Sequence, residues 1–148
     1  MNLFESLAIS GSALQAERQR SEIIAANMAN AETTRTEAGG PFHRREVVFE
    51  SHGASTFRLA LANTGALRDP MPGSVHIAEV VDDPAPAVMR YQPGHPDANA
   101  EGYVAYPAIN PAAEMVDLMG SVRAYQLNAS AIAAAKQMIS QTIDILKS

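Results

Sequence analysis

The chain has 148 residues, a formal net charge of -5, and neither cysteine nor tryptophan. That length suits one domain, or one small domain with extensions. The acidic balance argues against a nucleic-acid partner, and Arg44-Arg45, the longest basic run, is no patch. Without cysteine there is no disulfide framework and no thiolate chemistry. Few residues are aromatic, and much of the apolar content is Ala and Met, a composition that fills helix–helix seams more readily than a large core.

The first residues, Met1-Asn2-Leu3-Phe4-Glu5-Ser6, lack the positive region and continuous apolar stretch of a secretory signal. No window approaches the roughly 18 apolar residues of a membrane span, so stable membrane insertion is not expected.

From about Leu3 to Ala29 the pattern predicts a helix, without Pro and with a single Gly at Gly11. Its three-and-four spacing runs through Leu3, Leu7, Ser10, Leu14, Glu17, Ser21, Ile24 and Met28, a seam with a polar middle. The helix should end near Asn30, a residue that tolerates the left-handed conformation of a C-terminus. A loop follows over 31–45, rich in Thr and punctuated by Gly39-Gly40-Pro41.

Residues 46–106 read as short strands: Val47-Val48-Phe49, Thr56 to Leu61, Val75 to Val81, Val88 to Tyr91 and Tyr103 to Tyr106. So few strands make only a small sheet that needs a helix or a partner over one face. Asn110 then stands as an N-cap with Pro111 in the favoured first helical position. Glu114 lies in the first turn, where the helix dipole favours a carboxylate.

The helix predicted from Pro111 to about Lys147 carries a more regular seam. Met115, Leu118, Val122, Tyr125, Ala129, Ile132, Lys136, Ile139, Ile143 and Leu146 alternate by three and four, and all but Lys136 are apolar. At 1.5 Å per residue it would span about 55 Å, whereas a compact globule of this length measures roughly 40 Å across. The N-terminal helix is its natural antiparallel partner, but it is shorter and its seam is weaker. Part of the longer stripe must therefore be buried against other subunits or else remain poorly ordered. Ala129 to Ala135 surrounds Ile132 with small residues, which lets neighbours approach closely, although Ala also favours helix on its own. Lys136 either sets partner choice in the seam or extends its ammonium out of the groove.

Candidate chemistry is sparse. His43, His52, His76 and His95 are scattered without metal-ligand spacing, so no metal or cofactor is expected. His76 alternates with Val75 and Ile77 and should face solvent. His95-Pro96-Asp97 reads as part of a turn, and Asp82-Asp83 as solvated carboxylates. Asn128-Ala129-Ser130 matches a glycosylation acceptor but lies inside the heptad helix. No phosphate loop, nucleophile elbow or zinc motif is present, and no catalytic residue can be named.

The expected fold is α+β: two long terminal helices forming an antiparallel coiled-coil-like pair, with a small β-rich domain inserted between them. The divisions are residues 1–30, 31–45, 46–106 and 107–148.

Near the end of the first helix, Asn27-Met28-Ala29-Asn30-Ala31-Glu32-Thr33-Thr34 matches the Asn-x-x-Asn-x-x-Thr signature of the axial proteins of the bacterial flagellum. Gly39 to Glu50, His95 to Pro107, Glu114-Met115-Val116-Asp117 and Arg123 to Asn128 are similar to the proximal rod proteins in particular, and the resemblance runs nearly end to end. It implies that both termini pair in an inner tube of helices, within a shaft that transmits torque around an export channel. It also implies export without a cleaved signal, into the periplasm-spanning rod. The implied partners are copies of the chain itself, other rod proteins and the export-gate adaptor at the rod base. The implied assembly residues are Leu3, Leu7, Leu14, Ile24, Met28, Met115, Leu118, Val122, Tyr125, Ala129, Ile132, Ile139, Ile143 and Leu146, with Asn27, Asn30 and Thr33 as the motif. The alternative is a self-contained β-domain that binds a peptide or glycan, its core closed by the helices.

Overall fold

A computed structural model describes residues 3–51 and 73–147 of the chain. Helix α1 spans Leu3–Ala29, and α2 spans Pro111–Lys147; between them lie β1 (Arg45–Ser51), β2 (Val75–Asp82), β3 (Val88–Tyr91) and β4 (Tyr103–Tyr106). The fold is α+β, with a helix at each end and a small β region between. The candidate strand at Thr56 to Leu61 lies outside the described residues.

The strands form two two-stranded sheets, β1 with β2 and β3 with β4. In the second sheet Val88 pairs antiparallel with Tyr106, and Tyr91 with Tyr103. The turn between them is closed by Asn99, whose side-chain oxygen accepts from the Tyr103 N–H at 2.8 Å and the Glu101 N–H at 3.1 Å. Gly102 takes φ 82°, and a Cβ there would meet the Tyr91 ring at 2.9 Å, so both backbone and space call for glycine. Along β4, Val104 and Tyr106 point inward and are buried. The Tyr106 hydroxyl donates to Gln92 at 2.8 Å, which satisfies the polar end of a buried ring.

The start of α2 follows the sequence. The Asn110 side chain accepts the Ala112 N–H at 3.0 Å, and its carbonyl takes the Glu114 N–H at 3.1 Å. The end of α1 differs from expectation. Among the described residues no non-glycine has positive φ, so Asn30 does not close the helix in the left-handed conformation. Its side-chain amide instead donates to the Ala26 carbonyl at 2.9 Å and its oxygen accepts from the Thr33 hydroxyl at 3.2 Å. The Ala26 carbonyl also takes the Asn30 N–H at 3.1 Å, so it accepts from both the backbone and the side chain of Asn30 without backbone strain.

The chain forms two compact units. One takes in Arg20–Val48 and Glu79–Gly120; the other takes in Met1–Gln19, Phe49–Ala78 and Ser121–Ser148. Each unit combines part of both helices with part of the β region. In the first, buried Ile24, Val104 and Tyr106 are joined by the buried polar residues Asn27 and Glu114. In the second, the described core consists of Ala16, Ser121 and Ala135. There the Ser12 hydroxyl accepts the Val75 N–H at 3.0 Å and itself donates to the Ile9 carbonyl at 2.8 Å.

Candidate assembly interface

Three segments meet where α1 gives way to β1. Asn27 is 1% exposed, and its amide grips the backbone at the start of β1 from both sides. The side-chain oxygen accepts the Arg45 N–H at 2.9 Å, while the amide nitrogen donates to the Arg45 carbonyl at 2.8 Å. An asparagine side chain can do this because it presents the same donor and acceptor as a peptide group. The same nitrogen donates to Oε2 of Glu114, near the start of α2, at 3.1 Å. Thr33 completes the corner: its N–H donates to the Asn30 carbonyl at 3.1 Å, and its own carbonyl takes the Phe42 N–H at 3.1 Å.

Glu114 is 1% exposed, so its charge needs a partner. Arg44 supplies it, with Nε 2.6 Å from Oε1. Arg44 also pairs with Glu46 and approaches Asp117 at 3.8 Å and Asp83 at 4.0 Å. Burial works against the guanidinium charge, but its hydrogen bonds and attraction to Glu114 and Glu46 prevail and hold its pKa above the ordinary value. The Asp82-Asp83 pair is thus not merely solvated. Asp82 lies 3.5 Å from Arg45, and Asp83 faces Arg44 while its other oxygen accepts the Ala85 N–H at 2.9 Å.

Elsewhere among the described residues, titratable side chains bond mainly within turns and ion pairs. His95 Nδ1 accepts the Asp97 N–H at 3.1 Å, which makes it part of a turn. The Asp97 carboxylate instead takes the Thr34 hydroxyl at 2.7 Å. That bond lies beside an open groove of about 460 Å³ lined by Arg35, Gly39, Gly40 and Pro96. His76 is partly covered, with Nε2 3.7 Å from Glu50. Among the described residues no three His, Cys, Asp or Glu cluster as metal ligands, and no helix is long and apolar enough to cross a membrane.

Helix α2 carries two kinds of surface. The line covered by the chain itself runs through Glu114, Leu118, Ser121, Ala124, Asn128, Ile132, Ala135 and Ile139, all buried or half-buried. Its spacing is close to that of a heptad seam, with Ala124 out of step, but five of its eight members are small or polar. The seam read from hydropathy is offset from it. Of the α2 residues in that seam, Leu118, Ile132 and Ile139 are half-buried, whereas Met115, Val122, Tyr125, Ala129, Ile143 and Leu146 are exposed. On α1, Ile24 is buried, and Leu3, Leu7, Leu14 and Met28 are half-buried; Asn27 is buried, and Asn30 and Thr33 are half-buried.

Beyond these, Val116, Met119, Leu127, Met138 and Ile145 are also exposed. At 100° per residue, Met115, Met119 and Val122 form one outward flank and Val116, Leu127 and Ile145 another. Between Leu118 and Leu146 the exposed charges are only Arg123, Lys136 and Asp144. Arg44, and the tertiary role of Glu114, were what sequence reasoning passed over. A first-turn carboxylate and an isolated Arg pair carried no pattern that could join them.

Residues 7–35, which contain the α1 side of the corner, match the family described as flagella basal body rod protein. Residues 100–145, which contain Glu114 and the two-surfaced helix, match the flagellar basal body rod FlgEFG protein C-terminal family. The chain is similar throughout to the flagellar basal-body rod protein FlgC of Bacillus subtilis, at 37% identity over 99% of this chain and 100% of that one. The FlgC protein of Yersinia enterocolitica is 34% identical over 98% of both chains, and that of Borreliella burgdorferi 32% identical over 99% of both. With a helix whose apolar sides stay uncovered and relatives aligned over nearly their whole length, the chain belongs to the FlgC family of flagellar basal-body rod proteins and is a structural rod subunit.

Proposed function

We propose that this subunit enters the rod by burying the exposed apolar sides of α2, together with the half-covered apolar residues of α1, against neighbouring subunits. The observation that supports this most is the breadth of uncovered apolar surface on α2. Met119 is 60% exposed, Ile145 74% and Leu146 81%, and apolar helix surface of that extent is stabilised when neighbours cover it. An exposed surface of that kind marks a protein contact rather than a solvated face. The neighbours are copies of the subunit, other rod proteins and, at the rod base, the export-gate adaptor. The assembled helices then form the wall of a hollow, torque-transmitting shaft, which the subunit reaches by export without a cleaved signal. Its role is mechanical and not catalytic.

The test is Ile143→Asp in the full chain. Ile143 is already exposed, so an added charge should shift the stability of the free subunit by less than about 0.5 kcal/mol. The variant should accumulate normally yet be missing from isolated basal bodies, and the cells should be non-motile. Incorporation at the normal level would overturn the assembly role given to this face.

A further inference from the structure

Because α2 is apolar on several sides, hydrophobicity does not by itself decide which of them packs within the chain. In the first turns the covered line is the less apolar choice: it holds Glu114 and Ser121, while Met115, Val116, Met119 and Val122 stay outside; farther along, the outward side carries Gln126, Gln137 and Asp144. In those first turns burial of apolar area would favour the reverse. What opposes the reverse is the corner. Glu114 is buried beside α1 with Arg44 at 2.6 Å and Asn27 at 3.1 Å. Turning α2 about its axis would carry that carboxylate away from both partners. It would cost Arg44 its most buried partner and leave one Asn27 amide hydrogen without its acceptor, a penalty in a covered site even though Arg44 keeps Glu46 and Asn27 keeps the Arg45 carbonyl. A single polar group in an apolar seam sets register and partner choice in coiled coils by this means.

We infer that Glu114, held by Arg44 and Asn27, is a positioning residue that fixes the rotation of α2 in the free subunit, so that the apolar flanks of its first turns remain outward for the neighbouring subunits. The inference rests on the rod-subunit reading for what those flanks meet. The rotation itself is a property of the free chain and can be tested there.

The chain has no cysteine, so single thiols report cleanly on each side of the helix. Met119→Cys probes the outward flank and Ser121→Cys the covered line, where Ser121 is 0% exposed. With the corner intact, the first should react with a maleimide at least about tenfold faster than the second. Each probe is then combined with Arg44→Met and Glu114→Leu, which replace the pair by apolar side chains of similar size. The expected result is a reciprocal change at retained helix content. The Ser121→Cys thiol speeds up, and the Met119→Cys thiol slows at least about threefold as its flank turns inward. Mere loosening would speed the first and leave the second unchanged, and that result overturns the inference. So does equal reactivity of the two probes in the intact background. If the double substitution unfolds the chain, Glu114→Gln, which keeps the shape and removes the charge, decides in its place. A slower Met119→Cys reaction supports the positioning role, and an unchanged one refutes it. None of these readouts involves rod assembly, so a negative result here leaves the rod assignment standing; that assignment fails instead by incorporation of Ile143→Asp.

Discussion

The first turns of α2 and its last turns are built on opposite terms. Between Pro111 and Ser121 the helix is tied to the chain by the buried Glu114 carboxylate, an N-cap and the fully covered Ser121. Between Lys136 and Leu146 the described side chains are exposed apart from the half-buried Ile139, and Ile143, Ile145 and Leu146 are exposed apolar groups. A helix that specified its whole length alike would bury one continuous stripe. This one places its specific, directional contacts at one end only, while uncovered apolar side chains run from Met115 to Leu146. Directional contacts suit a register that must be set once, and uncovered apolar surface suits neighbours still to arrive.

The largest expected effect comes from removing the shared acceptor. Glu114→Ala leaves Arg44 without its main partner and Asn27 with an unused donor, and it should cost about 3 kcal/mol, toward the low end for a broken buried pair because Arg44 keeps some solvent contact. Urea denaturation of the full chain would measure it, and a loss under about 1 kcal/mol would remove the corner from the comparison. Next is Asn27→Ala. It strands both backbone groups of Arg45 and should cost about 2 kcal/mol by the same measurement. Asn110→Ala removes the cap on the Ala112 N–H and should cost about 1 kcal/mol. The Ile143→Asp change at the far end should be nearly silent in stability while abolishing incorporation. That ordering, with stability lost at one end and assembly at the other, sharpens the contrast if it holds and breaks it if Ile143→Asp destabilises as much as Glu114→Ala.

The sequence alone carried the helices and most of the strands. The Val75 to Val81 run lies within β2, Val88 to Tyr91 and Tyr103 to Tyr106 coincide with β3 and β4, and Asn110-Pro111 opens α2. These are local signals of periodicity and capping, and they survive without tertiary information. The corner was not legible, because its parts are distant in sequence. Arg44 and Glu114 are 70 residues apart, and Asn27 and Glu114 are 87 apart. Glu114 has an adequate local role at the helix N-terminus, which hid its tertiary one. The covered line on α2 was missed for a different reason. Ser121, Ala124, Asn128 and Ala135 are small or polar, so a search for large apolar residues at heptad spacing settled on the neighbouring line. Asn30 illustrates a third kind of miss. The helix does end there, but Asn30 bonds the Ala26 carbonyl through both its N–H and its side-chain amide, without the left-handed backbone that was expected.

The most direct measurement is amide hydrogen exchange along α2 in the free, full-length subunit. Exchange reads local opening residue by residue and separates a tied segment from one that awaits partners. Amides from about Met115 to Ser121 should be protected at least about a hundredfold more than those from Ser140 to Leu146, and Glu114→Ala should erase the difference. Uniform protection from one end of α2 to the other would contradict the division of the helix into a keyed end and an assembling end.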